Sequence, residues 1–174
     1  SLIMNFPFLD MNTSKVELDG LNFMNKWLPK LFPYAIAQKH MPAAYGENLH
    51  KDFKGEWDYN LKWKPIKGFP AYYIWLKTVI ENQKELKNNP NISVPILLMH
   101  SSRTSKPKRN DPFIDKADVV LNVEHMKKIG PQLGSKVTLL EVKDGLHDLF
   151  LSKEHVRNFA FEGMFKWLAQ TTIN

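Results

Sequence analysis

The chain has no cysteine in its 174 residues. That excludes disulfides, thiolate nucleophiles and thiolate metal sites, and it fits a reducing compartment, so a cytoplasmic protein is expected. No apolar run approaches the roughly 20 residues of a membrane-spanning helix, and no signal peptide is visible. Glycine is sparse at 8 residues and forms no phosphate-cradling loop. Zinc-finger spacings and RNA-binding aromatic signatures are missing, and no histidine pair has a recognised metal spacing. Neither metal nor cofactor is expected. Acidic side chains are the minority, 18 against 24 Lys and Arg, for a net charge of +6. The excess is spread along the chain except at Lys106-Pro107-Lys108-Arg109. That tetrad suits phosphate or an anionic surface, but a solvated loop is the commoner explanation, and no nucleic acid partner is expected.

What is present is ordinary for a globular protein: 43% hydrophobic and 24% charged residues. The length suffices for one sizeable core, so one domain, with an excursion, is expected. Leu2-Ile3-Met4-Asn5-Phe6 reads as a core strand that begins at once, which suggests a fragment that opens inside a domain.

From Thr13 to Asn89 the pattern is helical and rich in aromatics, with no strand of its own. Leu21, Met24, Trp27, Leu28 and Leu31 fall on one helical face, with a kink or break expected at Pro29. Tyr34 to Lys39 suggests a short helix and Met41 to Lys54 a loop. Trp57 and Trp63 call for burial. Pro70 stands at the first turn of a helix over 71–87, striped by Tyr72, Trp75, Leu76, Val79 and Ile80.

Ser93 to His100 is almost continuously apolar, as for a strand covered on both faces. A long polar loop, 101–116, follows. Then come a helix over 120–133 with Asn122 as N-cap, a buried strand over 136–142 and a closing helix over 153–170. Val156, Phe159, Ala160, Met164, Trp167 and Leu168 would form its inward face. Strand, helix, strand, helix indicates a parallel α/β sheet.

Reactive groups in such sheets gather beyond the carboxyl ends of the strands. Two residues stand out there: Asp118, after the long loop, and His147, in the Gly-containing turn Lys143–Ser152 between strand and helix. An acid that orients a base, followed by the base itself, is the order of the last two members of a Ser–acid–His triad. Asp111 and Asp115 are lesser candidates for the acid, and Asp144 and Asp148 flank the histidine. His100 reads as a packing residue, His40 and His50 as solvated, and His125 and His155 as exposed on helices.

The segment 57–65 (WDYNLKWKP), with Gly68-Phe69-Pro70 and Trp75-Leu76, resembles the cap of lysophospholipase-like α/β-hydrolases, the serine-aminopeptidase-like or monoglyceride-lipase-like branch. Val94 to Ser102 resembles that family's strand before the acid, Ala117 to Val123 its acid turn, and Gly145 to Ser152 its histidine turn. The resemblance implies the C-terminal portion of an α/β-hydrolase sheet, about three strands with flanking helices, plus a helical cap. Residues 1–12 would enter the cap, 13–90 form it, and 91–174 complete the core. It further implies a serine hydrolase of carboxylic esters, lysophospholipase or monoacylglycerol-like, with Asp118 and His147 as triad members and an acyl ester as substrate.

Two departures stand out. The family acid often follows its strand almost at once, where this chain has Arg103-Thr104, so Asp118 comes after an insertion. And no serine has glycine two positions before and two after it, so the G-x-S-x-G elbow is missing. In the family order that elbow precedes the strand with which this chain opens. The chain alone is therefore expected to be inactive, and to associate with a missing N-terminal half or with itself through its open sheet edge. The alternatives are a non-catalytic α/β-hydrolase-like binding protein, or binding of nucleic acid or an anionic surface through the basic 106–109 loop.

Overall fold

The middle strand β4 (Ile96–Ser101) is buried at all six of its residues. It lies between β1 (Leu2–Asn5) and β5 (Val137–Val142) in a three-stranded sheet of order β1-β4-β5, with both pairings parallel. The register sets Leu2 against Ile96 and Ile96 against Val137. Successive side chains of a strand point to opposite faces, so β4 supplies two cores at once. Ile96 and Leu98 pack with Phe6, Leu121, Met126 and Leu133, while Leu97 and Met99 pack with Val142, Leu149, Val156 and Trp167. This computed structural model describes residues 1–13, 15–24, 26–106 and 111–172. Within the basic tetrad, 107–109 lie outside the described residues.

Helix α5 (Val123–Ile129) covers the first core, and α6 (Glu154–Thr172) covers the second. Asn122 caps α5 as expected, its Oδ1 accepting the Glu124 N–H at 3.0 Å. The helix is shorter than its periodicity suggests. The N–H groups of Val120 and Leu121 donate to the Asp118 side chain, and Pro131 lies in a 3₁₀ turn, Gly130–Gln132. On α6, Val156, Ala160 and Trp167 face inward, but Phe159 is 51% exposed. Strand β5 was expected to be buried along its length. As an outer strand it is partly exposed, and Val142 is its one buried residue.

Between β1 and β4 lie α1 (Lys15–Met24), α2 (Leu28–Leu31), β2 (Ile36–Gln38), α3 (Ala44–Leu49), β3 (Ala71–Tyr72) and α4 (Tyr73–Asn88). The helical reading of this excursion needs three corrections. Ile36–Gln38 is a strand, not a helix, and pairs antiparallel with Ala71–Tyr72. That partner lies over thirty residues away, where no local pattern announces it. The start of α4 moves to Tyr73 because its expected first residues belong to β3. And α3 forms where the sequence reads as loop, despite a glycine and an asparagine in six residues, with its last residue, Leu49, wholly buried. Tertiary packing overrides propensity there.

Helix α1 ends at Met24 and α2 begins at Leu28, one residue before Pro29. The break dissolves the expected apolar stripe, and Trp27 and Leu31 are 63% and 67% exposed. Trp63 is also exposed, whereas Trp57 is half-buried and donates from Nε1 to Leu151 O at 2.8 Å. Among the described residues no helix is long and apolar enough to cross a membrane, and no three His, Asp or Glu side chains could share a metal ion.

Candidate active site

The insertion that separates Asp118 from β4 is closed at its base. Asp118 N–H donates to Arg103 O at 3.0 Å, and Ser105 N–H donates to Asp118 O at 2.8 Å, a parallel bridge between Thr104 and Asp118. Thr104 Oγ1 also accepts the Val123 N–H at 2.8 Å. The chain thus leaves at Thr104 and returns beside it, so Asp118 stands close to where an acid directly after the strand would stand. Its side chain is fully buried. Oδ1 accepts the N–H groups of Val120 at 2.5 Å and Leu121 at 2.8 Å, an aspartate folding its own turn around itself. Oδ2 is left for His147, whose Nδ1 lies 2.9 Å away.

The histidine turn is built with equal economy. Asp144 takes the left-handed conformation, φ 59°. At Gly145 a Cβ would come within 2.5 Å of Leu149 Cδ2 and 3.2 Å of Val142 O, so a larger residue would force the buried Leu149 side chain to shift. Leu146 N–H donates to the buried Ser152 Oγ at 2.9 Å. Asp148 caps a 3₁₀ turn, Leu149–Leu151, and its Oδ1 also accepts from Asn5 Nδ2 at 2.6 Å, tying this turn to the end of β1.

His147 is brought together with Asp118, then, and with none of the competing acids. Asp148 serves the loop backbone, Asp111 accepts from Ser105 Oγ at 2.6 Å, and Asp115 pairs with Lys153 at 3.3 Å. The His147 side chain is 25% exposed. A carboxylate on Nδ1 favours the tautomer with hydrogen there, which leaves the Nε2 lone pair to accept a proton. No serine hydroxyl among the described residues bonds to this ring.

Two aromatic neighbours of the ring were not singled out from the sequence. Phe6, at the end of β1, lies 5.4 Å from it centroid to centroid, and Tyr45, on α3, 5.5 Å in an edge-on arrangement. Phe6 had been read only as a strand end, and Tyr45 fell in the stretch read as loop. No local signal marks either.

Of the other histidines, His100 is buried in β4, as a packing residue would be. His50 was expected to be solvated but is 3% exposed, with Nε2 3.0 Å from Tyr59 O. His125 was expected to be exposed but is half-buried on α5. It lines a hollow of about 290 Å³ between α4 and α5, with Asp10 and Lys87 among the other lining residues. Asp10 there is paired with Lys87 at 2.9 Å rather than with His125. This hollow does not sit at the carboxyl ends of the strands, where Asp118 and His147 meet.

No family model matches the chain, and no curated protein sequence does. Among solved structures it is similar to a monoacylglycerol lipase of Paleococcus ferrophilus, with a TM-score of 0.64 and 15% identity, over 97% of this chain and 58% of that one. It is also similar to a soluble variant of the monoglyceride lipase of Saccharomyces cerevisiae, solved with a substrate analog, at 0.62 and 16%, over 97% and 55%. The chain thus spans little more than half the length of either. At these identities the likeness shows the fold. The parallel sheet with its flanking helices is the C-terminal portion of an α/β-hydrolase fold.

Proposed function

We propose that this chain carries the base and the orienting acid of a serine hydrolase that cleaves carboxylic esters, of the lysophospholipase or monoacylglycerol kind. The observation behind this reading is the buried Asp118 carboxylate 2.9 Å from His147 Nδ1. Asp118 holds the imidazole in one tautomer and steadies its positive charge once a proton arrives. His147 Nε2 takes the proton of an attacking serine and returns it to the leaving alcohol. The segment 13–90 acts as a cap over the site, the strand of 1–12 leads into it, and 91–174 supplies the core. The fold of the two lipases supports the ester substrate.

In this reading the serine and the oxyanion donors come from outside these 174 residues. Among the described residues β1 has β4 on one side and no strand on the other. Leu2 and Phe6 donate toward β4. By the alternation of a parallel ladder, the backbone groups of Ile3 and Asn5 face the open edge, ready to pair with a further strand. The chain on its own is therefore expected to associate as its concentration rises. Sedimentation velocity showing a monomer at every concentration tested would count against the open edge. The reading of the site is tested by an ester-hydrolysis assay of the serine-complemented chain with His147→Ala and Asp118→Asn.

A second expectation is spectroscopic and needs no partner. The Nδ1–H proton of His147, shared with a buried carboxylate, should give a strongly deshielded signal in proton NMR, lost in Asp118→Asn because a neutral amide is a weaker acceptor. A signal unchanged by that substitution would detach Asp118 from the ring.

A further inference from the structure

His147 is held from three directions by residues from three parts of the chain. Asp118 takes Nδ1 from the core, Phe6 approaches from the end of β1, and Tyr45 meets the ring edge-on at 83° from the cap. Edge-to-face pairs have a preferred geometry, so such a contact restrains ring rotation as well as filling space.

The helix that carries Tyr45 is itself firmly placed. A Cβ on Gly46 would come within 2.4 Å of Ile66 O, so α3 lies directly against the backbone of that segment. Asn48 Nδ2 donates to Ile114 O at 2.6 Å, in the loop that leads to Asp118. Trp57 Nε1 donates to Leu151 O, just beyond His147. The cap is thus anchored to the two loops that carry the acid and the histidine. Burial, with the charges of Asp148 and Asp118 adding to it, pushes the Tyr45 phenol well above its ordinary range, so the ring beside His147 stays neutral.

We propose that Tyr45 is a positioning residue for His147. While Asp118 holds Nδ1, the edge of the Tyr45 ring fixes the rotation of the imidazole, so that Nε2 keeps one direction toward the reacting serine. The cap then acts on the chemistry through a group that touches no reacting atom. This inference rests on the reading of His147 as the general base.

The test uses the 174-residue chain and a probe of the ring itself. Diethyl pyrocarbonate acylates unhindered imidazole nitrogen, and peptide mass spectrometry follows each histidine separately, with the exposed His40 and His155 as internal references. Tyr45→Ala is expected to raise the rate at His147 about two- to tenfold over the references, the range an aromatic pair is worth. Tyr45→Phe keeps the ring and should stay within about twofold of the parent, the rescue that a positional role requires. Tyr45→Leu fills the space without a ring and should behave like Ala. It also carries the test if the amide NMR spectrum shows Tyr45→Ala to be unfolded. Ala and Leu variants reacting at the parent rate would overturn the proposal. So would a Phe variant as fast as Ala, which would move the role to the hydroxyl. Failure of the base reading shows separately, as ester hydrolysis indifferent to His147→Ala, whereas failure of the Tyr45 proposal leaves that sensitivity intact.

Discussion

Assayed by itself against a short-chain nitrophenyl ester, the 174-residue chain is expected to give no turnover above buffer. The reason is chemical. A base accelerates acyl transfer by activating a nucleophile, and among the described residues the bonds of His147 reach an acid but no hydroxyl. Complemented with a polypeptide that carries the elbow serine and the oxyanion donors of an α/β-hydrolase, the same chain is expected to hydrolyse the ester. In that assembly His147→Ala should lower kcat by a factor on the order of 10⁴–10⁶, and Asp118→Asn by about 10⁴. The second loss comes from the tautomer. An amide can donate to Nδ1 and so leave the hydrogen on Nε2, where the serine needs a lone pair. Turnover by the isolated chain that disappears with His147→Ala would sink the division of labour. An assembled protein that binds acyl esters without cleaving them would make this a binding module built on a hydrolase fold.

The largest effect on stability is expected at Leu98. It is fully buried in β4 and packs in the first core. A Cβ on Gly130 would lie 2.8 Å from its Cδ1, so the end of α5 rests almost against it. Leu98→Ala removes apolar contacts from a core with strands on both sides of β4 and little room to collapse. The expected destabilisation is about 2–5 kcal/mol, a large share of the roughly 5–15 kcal/mol of a typical domain. For a chain of this size that corresponds to a fall in Tm of roughly 5–20 °C. Leu31→Ala, at a residue 67% exposed, should change stability by less than about 0.5 kcal/mol. Urea titration followed by circular dichroism compares the two. A Leu98 variant as stable as the Leu31 variant would show that β4 is not the centre of the fold.

The sheet was legible from the sequence because its signals are local. Ile96 to Met99 is apolar on both faces, and only a strand covered twice can bury such a run. The cap was far less legible. Ile36–Gln38 becomes a strand because of Ala71–Tyr72, and α3 holds together because Leu49 is buried and Asn48 reaches Ile114. Those causes lie tens of residues away, and no window of sequence contains them. At the site, Asp118 and His147 could be nominated because turn residues between a strand and a helix stand out. The ring contacts from Phe6 and Tyr45 could not be, since each depends on how separate segments meet.

The closed base of the loop after β4 has a consequence for how this protein can change. Because Arg103 and Ser105 clasp Asp118 by backbone hydrogen bonds, the length of the intervening span does not decide where the carboxylate stands, although its Ile114 also anchors α3 through Asn48. Chain-closure entropy grows only slowly with length, by about 0.6 kcal/mol per doubling. Changes in this span that spare Asp111, Ile114 and Asp115, which hold Ser105, Asn48 and Lys153, leave the carboxylate in place. Natural variation and engineering alike have there a place to graft a recognition segment a short reach from His147.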